Sequence, residues 1–119
     1  MNRVQIKRVY DPAEAGDGYR VLVDRLWPRG VKKQDLAQDE WLKKIAPSGA
    51  LRRWFGHDPE RFDTFAERYR QELTGNHEFD RLVEIATERP ITLLYAAKDR
   101  DHNHAVVLAD CITNRLKTG

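Results

Sequence analysis

One apolar run that ends abruptly in charge constrains the fold of this chain more than any other feature. Val21 to Val23 is uninterrupted Val-Leu-Val, which is typical of a strand buried on both faces of a sheet. Asp24 and Arg25 follow directly, where the strand should leave the core. Since Pro28 cannot donate a backbone hydrogen bond to a neighbouring strand, we expect the strand to stop by about Trp27.

A second apolar run, from Ile91 to Ala97, is followed just as abruptly by the charged residues 98–101. Helical patterns fill the chain between the two runs, and a long helical crossover is how parallel strands are joined. We therefore predict that Val21 to Val23 and Leu93 to Ala97 are neighbouring parallel strands in the centre of the sheet. At 119 residues the chain fits one α/β domain, a small layered fold with a short, mainly parallel central sheet flanked by helices.

The remaining segments complete this arrangement. Residues 3–10 alternate between apolar and charged, which predicts a half-buried strand near a sheet edge. Residues 11–18 should form an exposed loop, and its shortness leaves the orientation of the first two strands open. Residues 39–46 fit a short strand as well as a helix. Helices are predicted from Ser48 to Phe55, Pro59 to Leu73, Phe79 to Ala86, and from near Asp101–Asn103 to Leu116.

Composition excludes few classes of function. The formal net charge is +2, so no global imbalance demands a nucleic-acid or membrane partner. The first residues lack the apolar run of a signal peptide and no run is long enough to span a membrane, so we expect a cytoplasmic protein. The single cysteine, Cys111, excludes an internal disulfide and CxxC metal sites. It lies among apolar residues and is predicted to be a structural side chain.

The end of the first buried strand is the strongest site candidate. It carries Asp24, Arg25, Trp27 and Arg29, and ligands gather outside the carboxyl ends of strands in open α/β sheets. Guanidinium groups bind phosphate or carboxylate, and a Trp packs on the apolar part of a ligand. The alternative is an internal Asp-Arg pair beside a Trp that covers the edge of the core. The two interpretations carry equal weight.

The end of the second buried strand leads directly into a helix start. Lys98, His102, Asn103 and His104 lie there, and a helix N-terminus attracts anions. Asp99 and Asp101 offset this charge or cap the helix. Because the two histidines are two positions apart, they do not share a helical face as a zinc pair would, and no metal ligands are assigned.

The leading hypothesis is a binding or enzymatic site for an anionic small molecule, phosphorylated, carboxylated or a nucleotide. Arg25, Arg29 and Lys98 would bind the anion, and Asp24 would orient an arginine. His57, His102 and His104 are the candidates for proton transfer because histidine titrates near neutral pH.

Arg52 and Arg53 would either join this rim or lie on a solvated helix face. One alternative is a nucleic-acid or protein-partner module that uses the same rim, and another is an Asp24/Asp99 pair that holds Mg²⁺. The chain contains no GxGxxG, Walker loop or nucleophile elbow, so no cofactor is identified.

Several long motifs carry a family resemblance. Residues 21–30, 46–48, 51–59, 93–99 and 102–105 together resemble the YeaO-like family, within the DUF488 group of domains of unknown function. The resemblance covers nearly the whole chain and implies an α/β fold without an established activity. Some longer relatives carry cysteines in the segment that resembles residues 93–104. This chain has Tyr95 and Asn103 there and no cysteine, so the resemblance does not imply thiol chemistry at this rim.

Overall fold

A four-stranded parallel sheet forms the centre of the molecule. The computed structural model describes residues 3–118, with strands β1 (Val4–Arg8), β2 (Tyr19–Leu22), β3 (Glu40–Trp41) and β4 (Ile91–Tyr95) in the order β1-β4-β2-β3. β4 pairs parallel with β1 on one side and with β2 on the other. The α/β class and the two neighbouring central strands are therefore confirmed. β4 ends at Tyr95, two residues earlier than the apolar run.

Residues 39–46 contribute both a strand and a helical turn. β3 pairs with β2 for only two residues, after which Lys43–Ile45 form a short 3-10 helix. The mixed apolar pattern of this segment therefore reflects two short elements rather than one long one. β1 lies at the opposite edge with every residue half-buried, as its alternation indicates.

Within the described residues, five α-helices surround the sheet, and their ends follow local signals. They are α1 (Lys33–Leu36), α2 (Gly49–Phe55), α3 (Phe62–Leu73), α4 (His77–Glu88) and α5 (His104–Thr118). Ser48 caps α2 by accepting a hydrogen bond from the N–H of Leu51, and α2 ends at Gly56 in a left-handed conformation. Asp58 caps a 3-10 turn, Pro59–Arg61, that leads into α3. In the described part of the chain, no helix is both long and apolar enough to cross a membrane.

The sheet is covered on both faces, as its continuous apolar strands require. Val21, Val23 and Leu93 pack into a large core cluster with α2, α3, α4 and α5. Leu22 and Leu94 point to the other face, where a smaller cluster includes Leu36, Val9 and the two tryptophans Trp27 and Trp41. The thick helical layer therefore lies on one face, and the loop after β2 together with α1 covers the other.

The loop between β1 and β2 is not wholly exposed, and the prediction is wrong at Asp17. This carboxylate is 2% exposed and forms ion pairs with Lys7 and Arg20, the latter also buried. Arg20 in turn donates hydrogen bonds to the carbonyl oxygens of Leu36 and Ala37 at the end of α1. The turn-rich loop between β1 and β2 therefore supplies a buried carboxylate, Asp17, that neutralises Lys7 and Arg20.

Candidate functional site

The carboxyl ends of the two central strands meet, as parallel pairing requires. Asp24, two residues after β2, accepts a hydrogen bond of 3.0 Å on Oδ2 from the backbone N–H of Ala96, just after β4. This contact joins positions 72 apart in the sequence. It fixes the relative position of the two charged segments from which the sequence predicts a site.

A cleft of about 700 Å³ opens at this rim between the strand ends, α2 and the start of α5. Its volume lies within the range of small-molecule sites. The lining residues come from four segments of the chain: Asp24, Arg25, Leu26, Ala46, Pro47, Arg52, Arg53, Phe55, His57, Phe65, Ala96, Ala97, Lys98, Asp99, Asn103 and His104. Of the predicted site residues, the cleft brings together Asp24, Arg25, His57, Lys98, Asn103 and His104.

Four cationic side chains line the cleft. Arg25 donates a hydrogen bond of 3.2 Å to the carbonyl oxygen of Pro47, and Arg52 and Arg53 lie side by side in the last turn of α2. Lys98 follows β4 and lines the same cleft. Within residues 3–118, none of these four cations forms an ion pair. Since all four are exposed, their charges remain available to a ligand.

Asp24 does not orient an arginine in the described structure, which corrects that expectation. Its Oδ1 atom is buried and lies 3.1 Å from Nε2 of His104. The same Nε2 is 3.1 Å from the carbonyl oxygen of Val23 and is hydrogen-bonded to it. Because the N–H on Nε2 of His104 is directed at the carbonyl oxygen of Val23, the approach of His104 to Asp24 is electrostatic and not a hydrogen bond. Oδ1 of Asp24 therefore has no hydrogen-bond partner among the described residues. With acceptors on both sides, Nε2 is the protonated nitrogen of this ring.

The ring of His104, which lines the cleft, is held in place by neighbouring groups. Tyr69 packs edge-on against it with ring centroids 6.3 Å apart. The hydroxyl of Tyr69 donates a hydrogen bond of 2.7 Å to the carbonyl oxygen of Ile45, and burial raises the pKa of this phenol well above its ordinary value. Tyr69 therefore packs beside the Asp24–His104 contact as a neutral phenol.

Asp99 and Asn103 organise the turn between β4 and α5. Asp99 accepts backbone hydrogen bonds from Asp101 and His102, and its Oδ2 is 2.9 Å from Nδ1 of His102. The hydrogen bond from the Asp101 N–H, with those from His102, lowers the pKa of Asp99. Asn103 is 2% exposed; it donates to the Asp99 carbonyl and accepts from the N–H of Val106 as the cap of α5. His102 packs on Phe62 and is not among the lining residues.

Trp27 and Arg29 lie outside the lining of the cleft. Trp27 donates a hydrogen bond of 2.6 Å to the carbonyl oxygen of Val31 and meets Trp41 edge-on at 5.4 Å. This placement is the alternative that the sequence left open, a Trp that covers the edge of the core. Arg29 is exposed, and its backbone carbonyl accepts a hydrogen bond from the hydroxyl of Tyr10.

His57 reaches the cleft through an unusual backbone conformation. Its φ angle is 58°, in the left-handed region that few non-glycine residues adopt. Its ring lies 6.2 Å from that of Phe55, at the edge of the aromatic cluster of α2 and α3. Of the three candidate histidines, His57 and His104 line the cleft and His102 does not.

The sequence interpretation missed the apolar part of the cleft. Leu26, Ala46 and Pro47 all contribute to the lining, and the side chain of Leu26 is 68% exposed. The signal for Leu26 was its position between Arg25 and Trp27, just beyond the end of the buried run. The residues 3–118 contain no group of three or more His, Cys, Asp or Glu side chains placed to hold a metal ion.

Comparison with known proteins gives relatives along the whole chain. Residues 3–119 match a family model described as the inactive DUF488-N3 subclade. The chain is 57% identical over 108 residues to the uncharacterized protein YeaO of Escherichia coli (strain K12), covering 90% of this chain and 94% of that protein. It is 42% identical over 113 residues to the uncharacterized protein Rv3073c of Mycobacterium tuberculosis (strain ATCC 25618 / H37Rv), covering 95% and 96%. No solved structure matches it.

Proposed function

Because this chain belongs to the inactive DUF488-N3 subclade, we propose that it binds an anionic small molecule at the rim cleft without transforming it. The description of the family favours binding over turnover. The composition of the chain agrees, since the segment in which longer relatives carry cysteines has none here.

The observation that carries this proposal is the set of four cations without ion pairs around one cleft. Arg25, Arg52, Arg53 and Lys98 line the same concave space, within the part of the chain that is described. Some exposed cations elsewhere form ion pairs, as Arg81 does with Glu40 at 2.6 Å, and others, such as Arg29, form none with the described residues; what sets these four apart is that they share one cleft. Guanidinium groups bind phosphate and carboxylate with two parallel hydrogen bonds, which gives both strength and orientation.

The scaffold beneath these cations supports a preformed site. The contact between Asp24 and the Ala96 N–H holds the two strand ends together. Ser48, at the start of α2, donates to Glu72 of α3 at 2.6 Å, which ties the helix that carries Arg52 and Arg53 to its neighbour. A site whose framework does not reorganise loses less free energy on binding.

Concavity favours a small molecule over nucleic acid. A nucleic-acid surface needs cations spread along a stripe or groove that follows the phosphate backbone. In this chain the cations surround a cleft of about 700 Å³, and the formal net charge is only +2. A single-stranded oligonucleotide therefore belongs in the test as the competing ligand class.

The test is a thermal-shift screen followed by titration. Inorganic phosphate, pyrophosphate, nucleoside monophosphates, small carboxylates and a single-stranded oligonucleotide are compared at low ionic strength. A ligand that binds only the folded state raises the unfolding midpoint with its concentration. We expect pyrophosphate or a phosphate ester to raise it most.

Arg25→Ala and Arg29→Ala form a matched pair of variants for this test. Each removes one exposed arginine from the segment after β2, but only Arg25 lines the cleft. We expect Arg25→Ala to weaken binding of the best anion about tenfold, the effect of one charge-assisted hydrogen-bond pair, and Arg29→Ala to change it less than twofold. Equal losses in the two variants, or tighter binding of the oligonucleotide than of any small anion, would contradict the proposal.

A further inference from the structure

The cleft combines charge with an apolar wall, and this combination specifies the ligand more closely. Resting on the proposed function, we infer that the ligand is a small phosphomonoester whose organic group packs against Leu26 and the neighbouring apolar residues. The anion of this ligand is bound by the cations that line the cleft. Its organic group occupies space that a bare ion leaves empty.

The local charge matches a dianion. The lining contains four cationic side chains and two carboxylates, an excess of two positive charges with both histidines neutral. Asp24 and Asp99 are hydrogen-bonded to backbone N–H groups of the protein, so neither is directed at the arginines. A phosphomonoester carries close to two negative charges above its second pKa of about 6. A monocarboxylate or a phosphodiester would leave one positive charge unbalanced.

The size and lining of the cleft require an organic group. The volume of about 700 Å³ is many times that of one water molecule, which is about 30 Å³ in the liquid, and a phosphate ion is only a few times larger than water. The lining also includes Leu26, Ala46, Pro47, Phe55 and Ala97. An inorganic ion has no favourable contact with such a wall, whereas a ring or chain removes it from water.

Leu26 brings an exposed apolar side chain into the same cleft as the cations. Single exposed leucines are ordinary on protein surfaces, but this one is 68% exposed and forms part of the cleft lining. It is adjacent in sequence to Arg25, whose guanidinium is held against the carbonyl oxygen of Pro47. Because Leu26 and Arg25 line the same cleft, one small ligand can contact both with its apolar group and its phosphate.

The experiment compares phenyl phosphate, inorganic phosphate and benzoate by calorimetric titration above pH 7. The wild-type protein should bind phenyl phosphate at least about tenfold more tightly than either of the others, because only phenyl phosphate has both the double charge and the ring. Leu26→Ser should weaken phenyl phosphate about tenfold and leave inorganic phosphate within twofold.

Tyr10→Ser is the matched control for Leu26→Ser. Tyr10 is the other large, exposed hydrophobic residue of the described chain, at 52%, and it does not line the cleft. Its replacement should leave the affinity for phenyl phosphate unchanged. Circular dichroism spectra and unfolding midpoints of both variants establish that each is folded.

The outcomes separate the two proposals. In one outcome, the wild-type protein binds inorganic phosphate and phenyl phosphate equally tightly, and Arg25→Ala loses the binding. This inference is then overturned, and the anion site stands. If neither phosphate compound binds, this inference is overturned; the proposed function fails with it only if no small anion of the thermal-shift screen binds either. A phosphotyrosine peptide that binds more than tenfold tighter than phenyl phosphate would overturn the assignment to a small molecule.

Discussion

Arg100 and Asp11 are 89 positions apart in the chain, yet Arg100 donates two parallel hydrogen bonds of 2.9 Å to the two carboxylate oxygens of Asp11. Asp11 follows β1 and Arg100 follows β4, so this pair ties together the two loops at the same edge of the sheet. The N–H of Arg8 also donates to Asp11, at 3.0 Å. The loop between β4 and α5 is thereby anchored through a residue that does not line the cleft.

This pair predicts a specific pH dependence of stability. The hydrogen bonds from Arg100, helped by the N–H of Arg8, lower the pKa of Asp11 from its ordinary value near 3.8 to about 2. A carboxyl group whose folded-state pKa is lowered stabilises the fold above its unfolded pKa and loses this contribution as pH falls towards its folded pKa. Arg100→Ala should therefore reduce the free energy of unfolding modestly at pH 6, and the difference from wild type should shrink between pH 4 and pH 2.

Urea unfolding at pH 6, 4 and 2.5 measures this difference. The effect should also weaken in high salt, because both side chains are partly exposed, at 27% and 56%. Arg29→Ala, another exposed arginine with no ion pair in the described chain, is the control and should show no such trend. A difference for Arg100→Ala that stays constant down to pH 2.5 would contradict the role of Asp11.

The buried carboxylate of Asp17 should be much more important for stability. Burial alone raises the pKa of Asp17, but hydrogen bonds from Lys7, the N–H of Glu14 and Arg20 outweigh burial and lower it. Asp17→Asn leaves the two cations without their shared anion in a poorly hydrated place. We expect the free energy of unfolding to fall by about 3 kcal/mol or more, as when one partner of a buried ion pair is removed.

Glu14→Gln is the matched control for Asp17→Asn. Glu14 also pairs with Lys7 but its side chain is 68% exposed. Its neutralisation should change the free energy of unfolding by less than about 1 kcal/mol, the usual range for an exposed pair. Denaturant unfolding compares the two variants, and similar losses would mean that burial of Asp17 does not determine its contribution.

Cys111 should react slowly with thiol reagents in the folded protein. Its side chain is half-buried against the core, and this burial, despite the opposing effect of Arg70, raises the pKa of the thiol. Because only the thiolate reacts, labelling near pH 7.5 should be at least about tenfold slower than in urea and should accelerate as the pH rises.

Cys111→Ala should lower the free energy of unfolding by about 1 kcal/mol and leave anion binding unchanged. Rapid labelling of the native protein would contradict this.

Replacement of His57 by glycine should stabilise the fold and weaken ligand binding. A left-handed conformation costs a non-glycine residue roughly 1–2 kcal/mol, which glycine avoids. Glycine, however, loses more conformational entropy on folding, roughly 0.5–1 kcal/mol, and this cancels part of the gain. We therefore expect His57→Gly, at a φ of 58°, to raise the free energy of unfolding by about 0.5 kcal/mol and to weaken phenyl phosphate several-fold.

Ala37→Gly is the control for His57→Gly. Ala37 has a similar φ of 55° at the end of α1 and does not line the cleft. It should gain stability by the same mechanism without a change in affinity, as measured by urea unfolding and calorimetric titration. If His57→Gly gains stability and keeps full affinity for phenyl phosphate, His57 takes no part in the site.

The sequence alone determined the α/β fold and the meeting of two charged segments at the strand ends. The apolar runs at Val21 and Leu93 specify strands covered on both faces, and the helical crossover between them makes those strands parallel. Parallel neighbours end at the same edge, so the charged residues after each run had to meet there. Those inferences depend only on hydrophobic periodicity and chain connectivity, which are local properties of the sequence.

Only the tertiary structure decided which charged residues share the cleft and which are structural. Arg25 and Arg29 look equivalent in the sequence, but only Arg25 lines the cleft, and Trp27 between them packs against Trp41. Asp17 reads as a loop residue, yet it is buried because Lys7 and Arg20 meet it from different strands. Side-chain direction, long-range pairing and the exposure of Leu26 depend on segments far apart in the chain. No local pattern records those contacts, because they arise only when the separate elements pack together.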